Sequence, residues 1–350
     1  MKVLHIAESF SAGVATAIEG YADHTTGVEH VVLGYRRPGI QLQDAPPAAA
    51  RLVELPPGKP AQYLAVCRAI RAEQPDVIHA HSSWAGLYVR LAPTRRPIVY
   101  TPHCFAFERT DVSPVVRRSL LAAEWLLARR PQHLAACSEH EATVARTRLR
   151  MRRVSRLPYV LPLRVQRALD AQSRIDRATP PLRVATVGRL GPQKGVDFHL
   201  RVVESVATAG HTEDFAFVWI GGGDDELAQG LTAHGVTVTG WQPQADALAT
   251  LAGADVLLHT AAWEGMPLTV LEALHLGLPV VAREIPALGE LHLATTAAEP
   301  DDVARMLIGL LEPARRQQAA DQSQAVLAAR PSGERYGHLL EQLYADASGT

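Results

Sequence analysis

The sequence predicts an α/β protein made of two doubly wound parallel sheets. Three observations carry that expectation. Short β-rich apolar runs alternate with longer helical stretches, the pattern of parallel strands covered by helices. The alternation breaks at a polar, Pro-punctuated stretch, Gln166–Pro181, and starts afresh at Leu182. With 350 residues the chain has room for two ordinary domains with real cores.

In the first half, strands are expected at Lys2–Ala7, His30–Gly34, Arg51–Leu55, Val77–Ala80, Ile98–Thr101 and His133–Ala136. Helices are expected at Val14–Asp23, Gln62–Ala72, Ala85–Leu91, Pro114–Arg129 and Glu139–Arg148. After the break, strands are expected at Leu182–Val187, Phe215–Ile220, Val236–Thr239, Val256–His259 and Pro279–Ala282, with helices between them. This divides the chain into a first domain at residues 1–165, a linker at 166–181 and a second domain at 182–330. Residues 331–350 follow a Pro-Ser-Gly break, and their helix, Glu334–Tyr344, can cross back onto the first domain.

Composition removes several classes. Cys67, Cys104 and Cys137 are widely spaced and odd in number, so they form neither a disulfide framework nor a zinc pattern, as expected in a reducing cytoplasm. The N-terminus meets Glu8 too early for a signal peptide. No apolar run approaches the roughly 20 residues of a transmembrane helix. The net charge of −1 hides a split. Residues 1–180 hold 25 Lys and Arg against 15 Asp and Glu, a balance of +10; residues 181–350 hold 10 against 21, a balance of −11. The basic half fits an anionic lipid surface or a phosphorylated acceptor, and equally a set of solvated Arg-rich helices. Its arginine clusters, such as Arg117–Arg118 and Arg129–Arg130, lack the interleaved aromatics of single-strand nucleic-acid binding, so no nucleic-acid partner is expected. Val115–Leu127 is read as a core-facing helix rather than a membrane-inserting one.

In doubly wound sheets, ligands bind beyond the carboxyl ends of the strands. Glu8, Ser9 and Ser11-Ala12-Gly13 follow the first strand, His81 and Ser82 the Val77 strand, and His103 the Ile98 strand. Gly188 and Arg189 follow the Leu182 strand, Gly221–Gly223 the Phe215 strand, and Glu264 the Val256 strand. If the two edges face each other, they bound one cleft. Among the histidines, His79, His81 and His103 invite a metal check. With no acidic or Cys partner nearby in sequence, a zinc site is not expected; His79 reads as a packed core residue, and His81 and His103 as edge residues.

Two segments point to chemistry. Val187–Gly195 leaves a strand and opens a helix, carrying the planar fork of Arg189 and the point charge of Lys194. Two cations beside a helix start oppose its dipole, a conflict that a bound diphosphate would reverse. The spacing is not a Walker A sequence, and Gly221–Gly223 is no dinucleotide fingerprint. Further on, Trp263-Glu264-Gly265-Met266-Pro267-Leu268 leads into a helix that carries Glu272. If the helix ran from Glu264, eight residues would separate the two carboxylates by roughly 12 Å along its axis. That exceeds the roughly 5–9.5 Å of paired-carboxylate hydrolases and suits an elongated ligand gripped at two points. The plainer alternative leaves Glu264 complementing the helix dipole and Glu272 solvated.

Together, Gly188-Arg189-Leu190…Lys194-Gly195, Gly221–Gly223 and Trp263–Leu268 with Glu272 resemble the donor half of the GT-B retaining glycosyltransferases of family GT4 across about residues 182–291. His79-Ala80-His81-Ser82-Ser83-Trp84-Ala85-Gly86 and Tyr100-Thr101-Pro102-His103 resemble the first half of the same family, in enzymes that build surface polysaccharides or lipid-linked glycans. Cys104 stands where the family usually has Gly. The resemblance implies two Rossmann-like domains facing each other across a cleft. It implies transfer of a sugar from a nucleotide-diphosphate sugar to a glycan or polyprenyl-diphosphate-linked acceptor, with no cofactor, no metal and a front-face mechanism. By it, Arg189 and Lys194 bind the diphosphate, Glu264 the sugar hydroxyls and Glu272 the ribose. The N–H groups of Gly265, Met266 and Leu268 serve sugar and phosphates, Gly188 belongs to the donor-binding set, Gly13 lets the first loop approach, and His103 sits by the reacting sugar. The catalytic set is thus Glu264, His103, Arg189 and Lys194. The protein is expected in the cytoplasm, in peripheral contact with the inner face of an anionic membrane. The other readings are a GT-B sugar-nucleotide epimerase or phosphorylase, and a silent partner of an active transferase.

Overall fold

A strand buried on both faces has to be apolar along its whole length rather than at alternate positions. Lys2–Ala7 (β1) meets that demand, with Val3, Leu4, His5, Ile6 and Ala7 all buried. The computed structural model describes residues 1–8, 10, 12–35, 49–172 and 180–349. Ser9, Ser11 and residues 173–179 of the expected linker lie outside the described residues.

From β1 the chain runs through α1 (Ala12–His24), β2 (Glu29–Gly34), β3 (Ala49–Glu54), α2 (Lys59–Glu73), β4 (Val77–His81), α3 (Ser82–Leu91) and β5 (Ile98–Thr101). It continues through α4 (Pro114–Leu127), β6 (His133–Ala136), α5 (Glu139–Thr147), β7 (Val154–Arg156) and α6 (Leu163–Asp170). A second series follows: β8 (Leu182–Val187), α7 (Val196–Thr208), β9 (Phe215–Ile220), α8 (Asp225–Ala233), β10 (Thr237–Val238), α9 (Gln244–Ala252) and β11 (Val256–His259). It ends with α10 (Leu268–His275), β12 (Val280–Arg283), β13 (Thr296–Ala297), α11 (Pro300–Gly309), α12 (Pro313–Ala328) and α13 (Gly333–Ser348).

These elements form two units, one of Met1–Leu163 with Pro331–Thr350 and one of Arg164–Arg330. The first holds an all-parallel sheet in the order β3-β2-β1-β4-β5-β6-β7, the second one in the order β10-β9-β8-β11-β12-β13. Each order reverses once, between β1 and β4 and between β8 and β11. Those switch points are where doubly wound sheets bind ligands. In the first unit α13 packs on α1 and against β4, β5 and β6. The contact is so close that a Cβ on Gly337 would stand 1.9 Å from the His24 carbonyl oxygen.

Three expectations are corrected. The start of the Gln166–Pro181 break is helical: α6 buries Val165 and Leu169, an i,i+4 pair that its polar neighbours concealed. The short strands β7 and β13 carry too few residues to show a period. The largest correction is α4, whose only buried residue is Glu124. Val115 is 69% and Leu126 63% exposed, with Val116 and Trp125 also outside. Leu120 and Leu121 do pack against the core as expected, from partly buried positions, and a buried charge adds to their hold. Glu124 accepts from Arg90 Nη1 at 2.8 Å and from the Tyr100 hydroxyl at 3.0 Å, and the Arg90 guanidinium lies over the Tyr100 ring.

Candidate active site

In the second unit the loops leaving β8 and β11 are stapled together. The Ala262 N–H donates to the Gln193 carbonyl at 2.9 Å, and the Thr260 hydroxyl to the Lys194 carbonyl at 2.8 Å. The approach needs glycine at 195, where φ is +66° and a Cβ would lie 2.2 Å from the Thr260 carbonyl oxygen. Gly188, at φ +152°, leaves room for the Lys194 stem, whose Cε a Cβ there would meet at 2.6 Å. Lys194 then reaches across the staple and donates to Glu264 Oε1 at 2.7 Å. Gln193 Nε2 donates to the other oxygen of Glu264 at 3.4 Å. Two residues from separate loops, 70 positions apart, thus meet as an ion pair at the switch point.

The second unit also holds polar groups without partners among the described residues. Arg189 is exposed and makes no ion pair or side-chain hydrogen bond among the described residues. Both ring nitrogens of His259, at the end of β11, are buried and unpartnered among the described residues, as is the hydroxyl of Thr269. Burial, with the charge of Lys194 adding to it, lowers the His259 pKa to about 3, so its ring is neutral. Glu272 is 8% exposed, and its carboxyl takes no hydrogen bond among the described residues. Burial pushes its carboxyl up to about 7, and the charge of Lys194 pulls the other way.

The helix carrying Glu272 starts later than the sequence suggested. α10 opens at Leu268, so Glu272 lies just over one turn inside it and Glu264 four residues before it. The 12 Å rise therefore does not apply. Pro267 at the N-cap offers no side-chain acceptor. The N–H groups of Gly265, Met266 and Leu268 make no hydrogen bond among the described residues, which leaves three donors unspent at a helix start. Trp241, 52% exposed, packs on the glycine run: a Cβ on Gly222 would lie 2.8 Å from its ring.

The first unit places its residues differently. Gly13 is the second residue of α1, exposed, rather than part of the preceding loop. His103 and Cys104 follow β5 with φ of +57° and +103°, the left-handed region that favours glycine. Glu141 holds that turn: its two oxygens accept from the N–H groups of Cys104 at 2.9 Å and Cys137 at 2.8 Å. Both ring nitrogens of His103 are engaged, Nε2 with His81 Nδ1 at 3.0 Å and Nδ1 with the Tyr159 hydroxyl. His81 is fully buried and does not line the edge, a correction that follows from its place as the last residue of β4 between two neighbouring strands. His79 is buried as expected. With His5 it joins His81 in a group whose ligating nitrogens lie within 4.8 Å of one another, a spacing that could hold a metal ion.

Residues 11–160 match the family described as "Glycosyl transferase 4-like domain", and residues 181–313 match "Glycosyl transferases group 1". The chain is a group 1 glycosyltransferase. The transferase is 26% identical over 310 residues to an uncharacterized 41.2 kDa protein in the cps region of Klebsiella pneumoniae, with 83% of each chain covered. It is 27% identical over 247 residues to the Escherichia coli UDP-Gal:alpha-D-GlcNAc-diphosphoundecaprenol alpha-1,3-galactosyltransferase, covering 63% of this chain and 61% of that one. Its fold matches sucrose-phosphate synthase from Thermosynechococcus elongatus with a TM-score of 0.79, at 15% identity over 99% of both chains. The GT-B class of two Rossmann-like α/β domains is thus established, and the activity is glycosyl transfer.

Some polar residues of the transferase escaped the sequence reading. His259 ends a strand that was recognised, so the carboxyl-end rule alone could have flagged it. Gln193 and Thr260 act through contacts between loops and left no signal. His5 and His30 sit inside apolar strands, where a lone histidine reads as core.

Proposed function

We propose that this enzyme moves a sugar from a nucleotide-diphosphate sugar, with retention of anomeric configuration, to a glycan or polyprenyl-diphosphate-linked acceptor in polysaccharide or glycoconjugate biosynthesis. The carrying observation is the Lys194–Glu264 pair at the switch point of the second sheet, beside Arg189, which is unpaired among the described residues. Lys194 and Arg189 stabilise charge developing on the departing diphosphate, helped by the N–H groups of Gly265, Met266 and Leu268. Glu264, already fixed by Lys194 and Gln193, accepts hydrogen bonds from the donor sugar. The buried Glu272 carboxyl offers two oxygens to a ribose diol, and Trp241 a face to the base. The leaving phosphate oxygen takes the acceptor proton on the front face, and no metal is invoked. The galactosyltransferase relative, named for a UDP-sugar donor and a diphosphoundecaprenol-linked acceptor, supports both substrate classes.

The same reading puts the enzyme against an anionic membrane through α4. Val115, Val116, Trp125 and Leu126 are exposed, beside Arg117, Arg118 and Arg129. An apolar face rimmed by arginines suits the interface of an anionic bilayer. No helix among the described residues is long and apolar enough to cross a membrane, so contact would be peripheral.

The test is a thermal-shift panel of nucleotide sugars, followed by turnover with a lipid-linked acceptor and NMR of the product anomer. A ligand at 100 times its Kd adds about 2.7 kcal/mol of apparent stability. No stabilisation and no transfer, or conversion of the nucleotide sugar without an acceptor, would reject this reading.

A further inference from the structure

Four histidines of the first unit form one continuous hydrogen-bond chain. His30 Nε2 stands 2.7 Å from the Thr25 hydroxyl oxygen, and His30 Nδ1 2.8 Å from His5 Nε2. His5 Nδ1 lies 2.9 Å from His81 Nε2, and His81 Nδ1 3.0 Å from His103 Nε2. His103 Nδ1 then meets the Tyr159 hydroxyl. Every ring-to-ring link joins an Nδ1 to an Nε2, across residues drawn from β1, β2, β4 and the turn after β5.

That regularity restricts the protons. A neutral imidazole has one N–H and one lone pair. If one ring of the chain took the opposite tautomer, two N–H groups would oppose each other on one side of it and two lone pairs on the other. The four rings must therefore share a tautomer. The far end selects which. The Thr25 hydroxyl donates its single proton to the Tyr21 carbonyl at 2.9 Å, so toward His30 it can only accept. His30 then carries its proton on Nε2, and so in turn do His5, His81 and His103. His103 is left with a bare Nδ1 that accepts from Tyr159.

We propose that Thr25, His30, His5 and His81 are positioning residues that fix His103 as its Nε2–H tautomer, so that it meets a sugar hydroxyl as an acceptor through Nδ1. The Tyr159 hydroxyl holds that acceptor position in the unliganded protein. This rests on the reading of His103 as a residue beside the reacting sugar. Burial supports it: it lowers His30 to about 4 and His103 to about 3, and holds His5 and His81 well below the usual histidine range. The chain stops at a backbone carbonyl, so it sets orientation and does not deliver protons to solvent.

Long-range 15N–1H spectra of the 350-residue protein with ring-labelled histidine report each tautomer at neutral pH without any substrate. Single-histidine variants assign the rings. All four are expected as Nε2–H. Thr25→Val keeps the shape and removes the terminal acceptor. It is expected to populate Nδ1–H at His103 and lower kcat about tenfold or more, as wrong tautomers do, with KM for the donor unchanged; Thr25→Ser is expected to restore both readouts. Any of the four rings charged or Nδ1–H in the wild type, unchanged tautomers in Thr25→Val, or a stoichiometric metal ion bound at His5, His79 and His81 would overturn the chain. A flipped tautomer with normal kcat would overturn its link to the reaction. Absence of any transfer by the wild type would reject the transferase reading, while the spectra still decide the chain.

Discussion

Beyond β5 of the first sheet both ring nitrogens of His103 are engaged, one by the buried His81 and the other by the Tyr159 hydroxyl. At the edge of the second, Arg189, both nitrogens of His259 and the Glu272 carboxyl have no partner among the described residues. The two sheets share a winding and a switch point, yet one edge satisfies itself and the other waits for a ligand. A buried polar group without a partner costs on the order of 1–3 kcal/mol, and a fold keeps several together where a bound molecule repays that cost. Glu141 and Glu272 make the contrast local. Burial raises both carboxyls to about 7, but Glu141 accepts two backbone N–H groups and Glu272 none.

The largest expected effect breaks the open edge. Lys194→Ala and Glu264→Ala should each lower kcat by roughly 10²–10³-fold, the usual cost of losing a preorganised charge-stabilising group, with circular dichroism unchanged. Near-normal turnover in either would remove that edge from the chemistry. Next comes the closed unit. Glu124→Ala leaves Arg90, whose side chain is 1% exposed, as a buried unpaired charge; denaturant unfolding should show a loss of about 3–5 kcal/mol.

The pH response separates the two kinds of group. For His30 and His103 the folded pKa lies below the unfolded one, so their contribution is lost as pH falls from about 6.5 through 4 to 3. For Glu272 the folded pKa lies above, so the folded state holds the extra proton and stability falls as pH rises from about 4.3 to 7. Glu272→Gln should flatten the stability profile between those values, and a nucleotide sugar should shift it; an unchanged slope would show that the carboxyl is not protonated in the free protein. The smallest effect concerns α4. Val115→Ser with Leu126→Ser should weaken recovery with anionic liposomes at low salt and leave thermal stability unchanged. Equal recovery of the wild type with neutral and anionic vesicles would dismiss the membrane contact.

Most of the frame was legible because parallel strands buried on both faces are continuous apolar runs, and the loops after β8 and β11 carry dense local patterns: Gly188-Arg189…Lys194-Gly195 and Glu264–Leu268. The core-facing reading of α4 held for only part of its apolar residues, because apolar periodicity says that a helix has a face without saying how much of it is covered. Leu120 and Leu121 pack on the core beside the buried Glu124–Arg90 pair, while Val115, Val116, Trp125 and Leu126 stay exposed.

The sequence by itself determined the two doubly wound sheets, the family and the positions of Arg189, Lys194, Glu264 and Glu272, since each depends on residues close in the chain. Only the tertiary structure decided that Lys194 pairs with Glu264 across two loops, and that histidines from separate strands line up nitrogen to nitrogen. Strand order is set by packing, and hydrogen bonds between strands far apart in sequence exist only once that order is fixed.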